Sequence, residues 1–228
     1  MTVAGGAPYK PVPFFYGLIK IVLLIVYRLL FCLEWRGAVN VPDRSEKRGV
    51  ILAQNHASYL DPPILGVSLK RRVTYLAKEY LFHTFFVGWV LRSIGAFPIK
   101  TRSDDFRSIR GLLKILKDRQ CVVVFPEGTR SADGLLQEAE GGVGFLALKS
   151  RAAVVPVYIQ GTYAVFPRGA RWPRRGPVRV YYGKPFVPAE DMDLISAPDP
   201  YLAVSWKIMG EIKKMKDEVE SGVNRQNP

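Results

Sequence analysis

Apolar positions along the chain fall into short continuous runs separated by segments whose hydrophobic residues recur at helical spacing. Runs at residues 50–53, 73–77, 96–99, 121–125, 154–159 and 178–182 are rich in Val, Ile and aromatic residues, as strands covered on both faces require. Residues 63–69, 79–93, 104–118 and 142–149 lie between them and read as helices, with a last helix over 201–220. In the 104–118 segment, Ile109, Leu112, Leu113 and Leu116 form one stripe, while Arg107, Arg110, Lys114 and Lys117 take the rest of the circumference as a solvated face. This βα rhythm predicts an α/β domain, a mixed, largely parallel β-sheet flanked by helices. Ligands of such sheets gather at the carboxyl ends of the strands. The polar segments that follow the strands are therefore where chemistry is expected.

The longest apolar stretch, residues 14–33, precedes this rhythm and is interrupted by Lys20 and Arg28. Eight residues along a helix turn through about 800°, so the two cations lie within about 80° of each other. The pattern suits an N-terminal hydrophobic anchor helix, either lying in the membrane interface or spanning it with snorkelling cations; burial in the protein's own core is the third reading. Cys32-Leu33-Glu34-Trp35 is not a small-residue cleavage site, which argues against a removed signal. The expected organisation is a flexible N-terminus at 1–13, an anchor at 14–34, one α/β domain at 35–220 and a flexible tail at 221–228. A chain of 228 residues supports a single core of that size.

Charge narrows the partners. Lys and Arg number 33 against 20 Asp and Glu, giving a net charge of +13, which calls for an anionic partner: an acidic lipid surface, a phosphorylated substrate or nucleic acid. Nucleic-acid binding leaves residues 14–33 unexplained, and the chain carries no helix-turn-helix, zinc-finger or RNA-recognition signature. The segment 167–176 combines Arg168, Arg171, Arg174 and Arg175 with Trp172, a mixture suited to an anionic headgroup layer. Cys32 and Cys121 sit far apart in apolar surroundings without metal-ligand spacing, so neither a disulfide scaffold nor a zinc site is expected, and Cys121 reads as a small buried hydrophobe.

Candidate chemistry begins directly after the first strand, at Asn55-His56-Ala57-Ser58-Tyr59-Leu60-Asp61. An imidazole can take a proton at neutral pH, and a carboxylate can fix its tautomer. The other histidine, His83, lies in an aromatic helical stretch and is assigned a packing or interfacial role. Five residues along one helix leave an offset of about 140°, so a facing His56–Asp61 pair needs a turn. Ser58 could cap a helix that starts at Tyr59, or Asp61 could cap one with Pro62 in its first position. Spacing alone leaves a structural pair and a catalytic pair both open. Lys100 and Arg102 project to one face of extended chain after Ile99, as a phosphate grip or a solvated rim. In Phe125-Pro126-Glu127-Gly128-Thr129-Arg130, Pro126 ends the ladder, Gly128 permits a sharp turn, and Glu127 and Arg130 bring opposite charges into one loop.

In order, Asn55-His56-x4-Asp61, Gly95-x-Phe97-x-Ile99-x-x-Arg102, Phe125-Pro126-Glu127-Gly128-Thr129-Arg130 and Val155-Pro156-Val157 together resemble the glycerolipid acyltransferase family, closest to its 1-acyl-sn-glycerol-3-phosphate acyltransferases, over roughly residues 35–190. The second block departs from the family with Pro98 and Lys100-Thr101, where many members carry an acid or Val-Asn. The resemblance implies an α/β domain anchored at the cytoplasmic face of the cell membrane. It implies transfer of a fatty acyl group from acyl-CoA or acyl-ACP to the sn-2 hydroxyl of lysophosphatidic acid, with glycerol 3-phosphate or another lysolipid as alternative acceptors. No cofactor or metal beyond the thioester co-substrate is implied. His56 would be the base and Asp61 its orienter. Asn55, Lys100, Arg102, Glu127, Gly128, Thr129 and Arg130 would bind substrate, Arg102 holding the phosphate. No Gly-x-Ser-x-Gly elbow is present, so direct attack by the acceptor is expected. A non-catalytic membrane-surface protein is the reading from outside the enzyme class.

Overall fold

The apolar runs become a sheet whose two faces are both covered. The computed structural model describes residues 13–43, 45–94, 96–99 and 106–222. In chain order the elements are α1 (Pro13–Phe31), β1 (Glu34–Arg36), β2 (Val50–Gln54), α2 (Asp61–Ser68), β3 (Leu76–Lys78), α3 (Phe85–Ser93), β4 (Phe97–Ile99), α4 (Phe106–Lys117), β5 (Cys121–Val124), α5 (Gly142–Ser150), β6 (Ala153–Gln160), α6 (Thr162–Val165), β7 (Arg179–Tyr182), α7 (Met192–Ile195) and α8 (Pro200–Glu220). The main sheet has five strands in the order β1-β7-β6-β2-β5. β6 and β7 run antiparallel, and the other neighbours pair in parallel. This is the mixed, largely parallel sheet expected from the pattern. Every residue of β2 is buried. Val50 and Leu52 pack on the side of α1 and α2, and Ile51 and Ala53 on the side of α4, α5 and α8. Two covered faces explain why the strand sequences do not alternate.

Several boundaries differ from the pattern, each for a local reason. Residues 73–77 do not form one strand. Thr74 bridges to Val122 beside β5, and the chain then turns so that β3 pairs with β4 in a separate two-stranded sheet. Residues 79–93 split into a 3-10 turn over Glu79–His83 and α3, with Thr84 extended between them. β1, Glu-Trp-Arg, is an edge strand with two exposed residues and carries no apolar run to announce it. Cys121 is buried as expected, whereas Cys32 is exposed, in a left-handed turn at φ 43°. The second basic residue pair, Lys100 and Arg102, lies outside the described residues, as do 1–12, Gly95, 101, 103–105 and 223–228.

The N-terminal apolar segment forms α1, and its circumference is shared between two environments. Tyr27 and Phe31 are buried in the core, with Leu23, Leu24 and Leu30 packed partly against it. Leu18, Ile21, Val22, Ile25 and Leu29 point outward. Lys20 does not join Arg28 on a common snorkelling stripe. Its ammonium donates to the carbonyl of Leu69, at the C-terminal end of α2, where the helix dipole favours a cation. Arg28 instead lies 5.2 Å above the Trp35 ring. Among the described residues, no helix is long and apolar enough to cross a membrane. The spanning alternative therefore gives way to a helix packed along the domain with one apolar face left open.

Helix packing on the far side of the sheet is tight at Gly144 of α5. A Cβ there would land on the carbonyl oxygen of Tyr201 in α8, and the Gly144 N–H donates to Ser205 Oγ at 3.1 Å. Gly144→Ala should cost about 1–3 kcal/mol in urea unfolding, because the helices must separate. Gly141→Ala, where a Cβ meets open space, should stay within about 0.5 kcal/mol of the parent.

Candidate active site

The carboxyl ends of β2 and β5 lie side by side, and the loops leaving them interlock around His56. Asn55 ends β2 by spending its amide on β6: Nδ2 donates to Ile159 O at 3.1 Å, and Oδ1 accepts from Ile159 N at 2.7 Å. The chain then turns away at His56. Its backbone is tied at both ends to the loop after β5. His56 N donates to Glu127 Oε1 at 3.0 Å, and His56 O accepts from Ser131 N at 2.8 Å. The imidazole stacks on the Phe125 ring, with centroids 3.8 Å apart and planes 18° from parallel.

Asp61 is 0% exposed and forms the floor of the turn. Its Oδ2 accepts from Ala57 N at 2.8 Å and Ser58 N at 2.7 Å, and lies 2.9 Å from His56 Nδ1. Neither capping arrangement expected from the sequence occurs. α2 starts at Asp61 itself, with Leu60 as the cap position and no side-chain cap, because the carboxylate folds backward to bind the turn. Ser58 Oγ accepts from Leu60 N at 3.2 Å and donates to Phe166 O at 2.8 Å. With the carboxylate accepting, Nδ1 carries the imidazole proton, and the Nε2 lone pair is left to take another.

The Glu127 loop is built by the residues its sequence suggested. Gly128 has φ +65°, the left-handed conformation that favours glycine, and the exposed Glu140 carboxylate lies where a Cβ would stand. Gly128 N donates to Phe125 O at 3.0 Å and Thr129 N to Glu127 O at 2.7 Å, closing the turn, while the Gly128 and Thr129 side of the loop is exposed. Glu127 is buried, and its Oε2 also accepts from Gln137 N at 3.3 Å. Burial pushes its carboxyl up to about 7, against the two backbone N–H bonds that favour the ion, and the nearby Asp61 charge adds to the rise. Arg130 lays its guanidinium 3.6 Å over the Tyr59 ring, and its Nη1 is buried without a hydrogen-bond partner. His56, Asp61, Asn55, Glu127, Gly128, Thr129 and Arg130 thus converge. Phe125, Tyr59 and Ser131 join them, and these three were not foreseen: ring stacking and loop pairing across distant segments leave no local signal. Among the described residues, no His, Cys, Asp and Glu side chains are grouped to hold a metal ion.

The sequence model of the Acyltransferase family matches residues 33–160, more than half of the chain and the whole of this constellation. The chain belongs to that acyltransferase family. The 1-acyl-sn-glycerol-3-phosphate acyltransferase of Bacillus subtilis is 27% identical over 82% of this chain and 93% of its own length. The chloroplastic enzyme LPAT1 of Arabidopsis thaliana is 34% identical over 65% of this chain, but the match spans only 42% of that longer protein. The crystal structure of the 1-acyl-sn-glycerophosphate acyltransferase PlsC from Thermotoga maritima superimposes with a TM-score of 0.74 at 25% identity, covering 90% of this chain and 79% of the other. The resemblance drawn from the four blocks and the α/β architecture are both borne out by these matches. In this acyltransferase the His–Asp pair has the geometry of a catalytic dyad.

Glu127 gives a pH-dependent prediction. A carboxyl held above its ordinary value in the fold adds stability below the ordinary carboxylate range, and that contribution is lost as pH rises through about 7. Glu127→Gln lacks the titration. The melting temperature of the parent relative to Glu127→Gln should therefore fall between about pH 5 and pH 8; a difference that stays constant across the range would contradict the assignment.

Proposed function

We propose that this acyltransferase transfers a fatty acyl group from acyl-CoA or acyl-ACP to the sn-2 hydroxyl of 1-acyl-sn-glycerol 3-phosphate, giving phosphatidic acid at the cytoplasmic face of the membrane. The observation that carries the reading is the buried Asp61 carboxylate, 2.9 Å from His56 Nδ1, beyond the carboxyl end of β2 in a chain of this family. His56 Nε2 takes the proton of the sn-2 hydroxyl as the oxygen attacks the thioester carbonyl carbon. The tetrahedral intermediate then collapses, the C–S bond breaks, and the proton on Nε2 passes to the departing thiolate. No side-chain nucleophile is needed, and no acyl-enzyme forms. Asp61 keeps the proton on Nδ1 and stabilises the imidazolium.

Arg130, with Lys100 and Arg102, is assigned to the acceptor phosphate, as bidentate and point-charge donors suit that group. Glu127, Gly128 and Thr129 shape the acceptor loop. Asn55 acts by fixing the strand end from which His56 departs. The net charge of +13 is assigned to phosphate and lipid rather than nucleic acid. In an assay with lysophosphatidic acid and acyl-CoA or acyl-ACP, run beside glycerol 3-phosphate as acceptor, His56→Ala should lower the rate by at least about 10²–10⁴. Near-parental turnover by a folded His56→Ala protein would overturn the mechanism.

The open face of α1 is the proposed seat on the membrane. The backbone of the arginine-bearing loop is pinned to the end of this helix: Gly176 N donates to Leu30 O at 3.3 Å and Val178 N to Phe31 O at 2.8 Å. Arg168, Arg171, Arg174 and Arg175 are exposed there, and Trp172 is 75% exposed. An apolar stripe rimmed by cations and an indole suits an in-plane position on an anionic bilayer. Ile25→Asp with Leu29→Asp should release the protein from anionic vesicles in a sedimentation assay. Undiminished pelleting would place the contact elsewhere.

A further inference from the structure

The turn that carries His56 also supplies an aromatic platform for a cation of the second loop. We propose that Tyr59 is a positioning residue that fixes the plane of the Arg130 guanidinium and thereby governs how tightly a phosphomonoester acceptor is held; this rests on the assignment of Arg130 to the acceptor phosphate. An arginine side chain samples many rotamers, and most of its value as a bidentate donor depends on holding its planar fork still. No ion pair does this for Arg130 among the described residues. The Tyr59 ring does. With the guanidinium carbon 3.6 Å above the ring centroid, the ring backs the cation and restricts its motion, and a guanidinium held in this way presents its N–H fork to two phosphate oxygens at once.

A second observation points to the same ligand. Arg130 Nη1 is buried without a hydrogen-bond partner, a state that costs free energy until an acceptor arrives. Tyr59 is itself anchored. Its neighbour Ser58 donates to Phe166 O at 2.8 Å, and the Phe166 ring lies 6.2 Å away at a 47° tilt. Both the platform and the base are set by the turn around Asp61, while Ser131 N, next to Arg130, holds His56 O at 2.8 Å. The spacing between the base and the phosphate grip is thus fixed from both loops. An acceptor is selected when its hydroxyl and phosphate match that spacing, as the adjacent carbons of a glycerol backbone can.

Tyr59 is 60% exposed, so replacing it leaves the core intact. The test is steady-state kinetics of the parent, Tyr59→Leu, Tyr59→Trp, Arg130→Gln and the double variant Tyr59→Leu/Arg130→Gln, with acceptor and donor varied separately. Tyr59→Leu should raise the KM for lysophosphatidic acid about 2- to 30-fold, the range a cation–π contact supports. The donor KM and kcat should hold within about twofold. Tyr59→Trp should restore the acceptor KM, and in the Arg130→Gln background Tyr59→Leu should add nothing. A Tyr59→Leu effect that persists undiminished without Arg130, or that raises the donor KM equally, overturns the proposal alone. An Arg130→Gln protein with parental acceptor KM overturns the phosphate assignment, and the proposal with it.

Discussion

One buried oxygen, Asp61 Oδ2, organises the functional end of the molecule. A carboxylate shut away from water is costly unless its lone pairs are used. Here two backbone N–H groups and an imidazole N–H meet on the same atom. The positive end of α2, which begins at this residue, favours the same charge. The chain between His56 and Asp61 can satisfy that oxygen only by wrapping around it, so the turn, the start of the helix and the orientation of the imidazole are consequences of one desolvated charge. Removing the carboxylate would do more than free the ring. It would leave Ala57 and Ser58 with unpaired buried donors and loosen the turn on which Tyr59 stands.

The second carboxylate of the site serves the backbone rather than the ring. Glu127 accepts from the N–H of His56 on one oxygen and from Gln137 on the other, so it joins the loop after β2 to the two arms of the loop after β5. The two acids distribute their donors differently: Asp61 gathers three on one oxygen, whereas Glu127 takes one on each. Their division of labour gives the dyad a rigid frame on both sides: ring orientation from below and main-chain position from the neighbouring strand. Such precision is what general-base chemistry requires of a group that must meet a hydroxyl proton within hydrogen-bond reach.

How much of this was legible in the sequence follows the range of the interactions. β2, β5 and β6 are covered on both faces, and their uninterrupted apolar residues identified them with their parallel character. The amphipathic stripe of α4 was legible too, with Leu112 and Leu116 buried as the spacing requires. His56 and Asp61 could be paired from their separation, but the turn between them could not. A capping side chain and one that reaches backward have the same sequence signature. α1 is apolar nearly all round, so periodicity could not tell which side the domain would claim, and the partner of Lys20, a carbonyl 49 residues away, leaves no local trace. The same applies to Phe125 beneath His56 and Tyr59 beneath Arg130, which are contacts between loops that only the parallel order of β2 and β5 brings together.

That order also links the proposed membrane seat to the chemistry. α1 packs against α2, the ammonium of Lys20 holds the far end of α2, and the near end of α2 is Asp61. A lysolipid acceptor keeps its acyl chain in the bilayer, so its hydroxyl is accessible only within a narrow layer beside the headgroups. A dyad carried on a mobile arm would sample that layer rarely. By resting the helix that starts at Asp61 directly on the helix whose open face is apolar, the fold sets the height of His56 above the proposed interface through a single helix pair. On that proposal the arginine-bearing loop, pinned to the last carbonyls of α1, sets the tilt at one end of that helix. On this argument α1 acts as a spacer between bilayer and base, and its inward face matters as much for the reaction as its outward face does for binding.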